Sequence, residues 1–253
     1  MELYVPFFKY PKHLEFQNIV DWEIITPNYE VKTGDILLFS GSGFLSSGIK
    51  LFTASIWSHV GIACWVKLYK DDGSSEKDLF CFELGSNNYT DLISGKILDK
   101  GVRLVRLGDI AVMYDIISVR RLKFERKLSF PNEFKNFMLE WNGVPFPDLL
   151  NLINATMIDG GYRTRKRKVT CAHLVAVYMD YFHIHRLNFD PSQLMPEHYS
   201  GNSRAFPEDI FEDDEEMTIY KDSHWARMRI FYAIIFVIII IILALIKIKK
   251  SQK

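Results

Sequence analysis

The sequence predicts an α+β domain carried on a C-terminal tether. Three observations lead there. Short apolar strands bounded by turn residues crowd the first half, helical patterns follow in the second, and residues 230–246 form an unbroken apolar run. Strands early and helices late fit an antiparallel sheet packed against helices. At 253 residues the chain has room for one domain of about 200 residues plus extras, or for two small ones. Lys plus Arg equals Asp plus Glu, at 31 each, so the totals predict no nucleic-acid partner. The odd, sparse cysteine set, Cys64, Cys81 and Cys171, argues for a reducing compartment and against a disulfide framework.

Residues 1–30 are rich in aromatics and proline and are expected to form an extended arm on the domain. Asp35 to Ser40 follows Lys32-Thr33-Gly34 and reads as a buried strand. Phe44 to Ser55 reads as a short helix weakened by Gly48. Trp57 to Val66 is the clearest strand; Lys70 to Asp78 is a charged hairpin loop, and Leu79 to Leu84 is its antiparallel partner. Gly101 to Leu107 and Ile116 to Phe124 alternate apolar residues with Arg or Lys, which predicts strands with one wet face. Pro131 to Trp141 is an amphipathic helix ended by Gly143, and a second helix is expected over 148–157. A basic loop carries Arg163, Arg165, Lys166, Arg167 and Lys168. A helix then runs from Cys171 to about Phe182, and Asp190-Pro191-Ser192 opens a further short one. Glu208 to Glu216 is strongly acidic and is expected to be a linker. The expected division is therefore an arm (1–30), a domain (31–205), an acidic linker (206–226) and an anchor with a basic tail (227–253).

The run 230–246 would span about 25 Å as a helix. That is slightly short of a bilayer core of about 30 Å, and snorkelling Arg229 and Lys247 could close the gap. No polar face suits it to a bundle core, so a single-pass membrane anchor is expected. The N-terminus has no uninterrupted apolar stretch of the secretory kind, which suggests insertion after synthesis with the domain in the cytosol.

The chemistry centres on Val169-Thr170-Cys171-Ala172-His173-Leu174. A cysteine in the first turn of a helix meets unpaired N–H groups and the positive dipole end, which favour a thiolate and could hold an oxyanion. The other reading is a buried structural cysteine. His59 interrupts an apolar strand and shares a face with Gly61, which leaves space beside the ring; it is a general base or a satisfied core histidine. Glu83 interrupts the next strand and either orients His59 or points to water from a strand end. Cys64 and Cys81 read as structural. His173 lies two residues from Cys171, which on a helix points the side chains apart, and His183-Ile184-His185 is a weak metal signal without companion ligands.

Gly34-Asp35-Ile36-Leu37-Leu38-Phe39, Ser58-His59-Val60-Gly61-Ile62, Phe82-Glu83 and Thr170-Cys171-Ala172-His173-Leu174-Val175, in that order, resemble a permuted branch of the papain-like superfamily. It is the circularly permuted NlpC-type cysteine hydrolases of the YiiX kind, with the lecithin:retinol acyltransferases as more distant members. The match covers roughly residues 30–200. It implies a permuted papain-like domain in which Cys171 is the nucleophile, His59 the general base and Glu83 the polar orienter. Thr-Cys-Ala-His-Leu stands where the family has a small residue followed by Cys-Ser-Glu-Leu. The implied chemistry is acyl transfer from an amide, ester or thioester, with no metal or cofactor. The basic loop 163–168 is either a solvated loop or a contact with anionic lipid headgroups, so the expected partners are membrane lipid and a lipid or peptide substrate. Two alternatives stay open: an inactive papain-like scaffolding protein on a membrane, and a peptidase or isopeptidase.

Overall fold

The computed structural model describes residues 18–41, Ser46, Lys50, 55–85, 87–145, 169–185, 191–212 and 216–221. The chain divides into two compact units, Met1–Tyr220 and Lys221–Lys253. Among the described residues the first unit is built on a seven-stranded sheet. Its strands are β1 (Ile19–Ile25), β2 (Ile36–Gly41), β3 (His59–Lys70), β4 (Ser75–Gly85), β7 (Gly101–Arg106), β8 (Tyr114–Arg120) and β9 (Met217–Lys221). The order is β7-β4-β3-β2-β8-β9, and β1 pairs the far half of β3, beyond the reach of β2. A two-stranded ribbon, β5 (Tyr89–Thr90) with β6 (Ile97–Leu98), stands apart from it. The α-helices among the described residues are α1 (Leu107–Ala111), α2 (Phe130–Trp141) and α3 (Cys171–Tyr181).

Period-two alternation sends each strand's side chains to opposite faces, and both faces are covered. Ile36, Leu38, Val60, Ile62, Cys64, Phe80 and Phe82 meet α2 and α3 through Phe134, Phe137, Leu174 and Tyr178. Leu37, Phe39, Ala63, Trp65 and Cys81 meet Ile110 and Ala111 of α1 on the other face, with Met217 and Ile219 of β9 packed against them. The expected antiparallel sheet with later helices is therefore present. The β3–β4 hairpin turns within 71–74, with Gly73 at φ +80°, so its loop is shorter than the charge pattern implied. Gly143 takes φ +75° just past α2, the left-handed conformation that ends helices.

The expected wet face of β7 and β8 is absent. Arg103, Ser118 and Arg120 are buried. Alternation with Arg signals solvent only where nothing covers that face. Here Arg103 lies against Glu83, and the Arg120 guanidinium stacks on Phe211, 4.2 Å from its ring centroid. The same packing corrects the linker. Phe206, Ile210 and Phe211 are buried, and β9 adds a strand beside β8, so the compact unit extends past 205 to Tyr220. Likewise β1 makes part of the expected arm a sheet strand. The expected helix over 148–157 and the basic cluster Arg163, Arg165, Lys166, Arg167 and Lys168 lie outside the described residues, as does the apolar run 230–246. Of the helix expected over 44–55, only Ser46, Lys50 and Ser55 are described. Among the described residues no helix is long and apolar enough to cross a membrane.

The Gly-Asp-Ile segment anchors the sheet to α3. Tyr178 Oη donates to the Gly34 carbonyl at 3.0 Å. Asp35 accepts from the backbone N–H groups of Lys32 (2.8 Å) and Leu122 (3.1 Å) and pairs with Arg126 Nη2 at 2.5 Å. These bonds join the start of β2, the end of β8 and the helix layer. They fix the end of α3 that is remote from Cys171.

Candidate active site

The register of three neighbouring strands places the polar residues. Gly61 of β3 lies opposite Glu83 of β4, and Glu83 lies opposite Arg103 of β7. His59 is two residues before Gly61, so it shares that face. His59 Nε2 is 2.8 Å from Glu83 Oε2. That separation suits both a charge pair and a charge-assisted hydrogen bond. Glu83 Oε1 accepts from Arg103 Nε at 2.8 Å. Glu83 and Arg103 are 2% and 1% exposed, and the His59 side chain 12%.

Cys171 completes the row. It opens α3 and is half-buried, while Cys64 and Cys81 are fully buried. Thr170 caps the helix in extended backbone, and its Oγ1 accepts from the His173 N–H at 3.1 Å. Tyr199, buried in the turn Pro196–Tyr199, donates from Oη to the Ala172 carbonyl at 2.6 Å and so holds the first turn of α3. The Cys171 sulfur lies within electrostatic reach of the His59 ring.

These contacts set the charges. Burial disfavours a charged His59, but the Cys171 sulfur, through charge and hydrogen bonding, and then the Glu83 carboxylate outweigh it and push the pKa up to about 10. His59 therefore holds a proton at neutral pH. Burial works against ionised Glu83 too, yet His59 and Arg103 hold it below the ordinary carboxylate range. Burial pushes the Cys64 and Cys81 thiols up, which fits their structural reading.

Aromatic rings close one side. Tyr114 stacks parallel to His59, with centroids 5.9 Å apart, and Phe39 lies 5.3 Å away. Gly61 removes bulk, as its place beside His59 suggested, but for a neighbouring strand: a Cβ there would overlap Cys81 Sγ and press on Glu83 Cβ.

The structure thus sets His59 against Glu83, with Cys171 in electrostatic reach of the ring. The His173 backbone serves the helix cap. His183 sits at φ +53° past the end of α3, and the His185 ring packs edge-on to Phe206. Two residues were missed in the sequence. Arg103 carried a signal, since an Arg in a strand directly after a Glu-bearing strand can be its cross-strand partner. Tyr199 carried none.

The fold is a mixed α+β domain with an antiparallel sheet. No family model matches the chain, and no curated protein matches it. Among solved structures it is similar to the metalloprotein YiiX from Escherichia coli O157:H7. The match has 15% identity and a TM-score of 0.41, and covers 77% of this chain and 99% of that one. Among the described residues of this chain, no three His, Cys, Asp or Glu side chains cluster in a way that would hold a metal ion.

Proposed function

We propose that this protein is a thiol-dependent hydrolase or acyltransferase of the permuted NlpC-type, papain-like kind, with Cys171 as nucleophile, His59 as acid–base and Glu83 as its orienter. The observation that carries the reading is the row Cys171–His59–Glu83, in which a helix-terminal, half-buried thiol acts electrostatically on an imidazole that itself lies 2.8 Å from a buried carboxylate.

The proton given up by the thiol is the one held on His59, and with Nε2 against Glu83 the other ring nitrogen is left for the sulfur. Cys171 Sγ then bonds to the carbonyl carbon of an amide, ester or thioester, and the carbonyl electron pair moves to oxygen. The first N–H groups of α3, Cys171 and Ala172, would receive that oxyanion. Collapse breaks the bond to the leaving group, which takes the proton from His59 and leaves an acyl-thioester on Cys171. Water or another acceptor gives its proton to His59 and attacks the thioester, and the Sγ–carbon bond breaks. Each step uses residues of this chain alone.

The anchor belongs to the same proposal. The apolar run 230–246 would hold the domain at a membrane, and the basic residues 163–168 would face its headgroups, which suits a lipid or membrane-protein substrate.

The test is labelling of the full-length chain by electrophilic thiol probes, read by intact mass. One stoichiometric label, lost in Cys171→Ala, is expected. Labelling no faster than a free thiol would contradict the reading and favour a scaffolding role on the same fold.

A further inference from the structure

We propose that Arg103 is a positioning residue for this chemistry: it holds Glu83 against His59 and ties the 87–98 segment to the site. The proposal rests on the thiol reading above. Four observations carry it.

First, Arg103 divides the carboxylate. Its Nε takes Oε1, and Oε2 is left for His59. Without Arg103, Glu83 would keep His59 as its one charged partner and could rotate. Second, the pair is buried, and burying two charges seldom stabilises a protein beyond what apolar residues of similar volume would do. Third, the backbone leaves room for it. Gly85 faces Gly101 across β4 and β7, and a Cβ on Gly85 would overlap both the guanidinium and Glu83 Oε1. Fourth, Arg103 reaches past the sheet. Nη1 donates to the carbonyls of Asn87 and Leu98 (2.8 Å to Leu98), and the guanidinium lies 5.3 Å from the Tyr89 ring centroid. A planar fork does this and an ammonium does not. The segment bearing β5 and β6 is thereby fixed to the carboxylate that faces His59.

The groups that act electrostatically with Glu83 are His59 from β3, Arg103 from β7, Cys81 on its own strand, Tyr89 from β5 and Tyr114 from β8. Cys171 of α3 follows behind His59. Among these Arg103 is the permanent cation. Simple removal of its charge would strengthen the proton on His59. Loss of positioning would free Glu83 and weaken it. The two roles therefore move His59 in opposite directions.

The test uses the full-length chain in detergent micelles, as wild type, Arg103→Met, Arg103→Lys and His59→Ala. Iodoacetamide alkylation of Cys171 is followed by mass, the His59 ring is titrated by NMR, and circular dichroism checks the fold. Arg103→Met is expected to slow alkylation by about 10- to 100-fold and to move the His59 titration to lower pH. Arg103→Lys is expected to keep the fold and recover only part of the rate. A folded Arg103→Met with wild-type rate, or with His59 titrating at higher pH, overturns the proposal. Where Arg103→Met does not fold, Arg103→Lys decides: a wild-type rate overturns the proposal and a slowed one supports it. A wild type that alkylates no faster than free cysteine, and is indifferent to His59→Ala, shows instead that the thiol reading has failed, and the proposal falls with it.

Discussion

His59→Ala is expected to slow acylation of Cys171 by about 10²- to 10⁴-fold while leaving the domain folded. The rate falls because, in the proposed mechanism, the ring in electrostatic reach of the sulfur carries its proton. The fold survives because the side chain is partly exposed at the first residue of β3, and its removal leaves Glu83 still paired with Arg103. Stopped-flow acylation with an activated ester, beside a thermal melt, measures both. A rate within threefold of wild type would mean that Cys171 works without this imidazole.

Glu83→Ala reverses the balance, with its larger effect on stability. It leaves the Arg103 guanidinium buried without its carboxylate and the His59 ring without its anion. Removing one partner of a buried pair costs about 3–5 kcal/mol. The expected result in urea denaturation is an unfolding free energy lowered by that amount, with the midpoint moved down accordingly, or no cooperative transition. The pH dependence follows from the same charges. The folded His59 pKa, about 10, lies above its ordinary 6.5, so its contribution is full below pH 6.5 and is lost as pH rises towards 10. The Glu83 pKa lies below its ordinary 4.5, so its contribution is present above that pH and is lost as pH falls further. The contribution of this pair is thus largest between about pH 4.5 and 6.5 and falls on the alkaline side. Glu83→Ala should flatten the alkaline fall. A variant that melts like wild type at every pH would contradict the contact between Glu83 and His59.

The three residues of the row were legible because each breaks a local pattern. His59 and Glu83 are polar groups inside apolar strands, and Cys171 opens an apolar helix behind a capping threonine. Their meeting also had a legible cause, since a hairpin pairs β3 with β4 and brings Gly61 opposite Glu83. Arg103 was misread because alternation reports which face a residue occupies, not what covers that face. Its burial depends on a strand pairing and on the 87–98 segment, both set at a distance. The same limit hid β1 and β9. Acidic residues before Met217 suggested a solvated linker, while the apolar positions Met217 and Ile219 find the open side of the sheet beside β8. Tyr199 reaches Ala172 across a turn with no periodic signature.

In the proposed mechanism Cys171 carries an acyl group during turnover. The most direct measurement is trapping of that thioester: full-length protein is mixed with a series of activated amides, esters and thioesters, quenched in acid and mapped by peptide mass. The account predicts an acyl adduct on Cys171 that neutral hydroxylamine removes, absent from Cys171→Ala and formed slowly in His59→Ala. No adduct across the series, or one confined to Cys64 or Cys81, would contradict it.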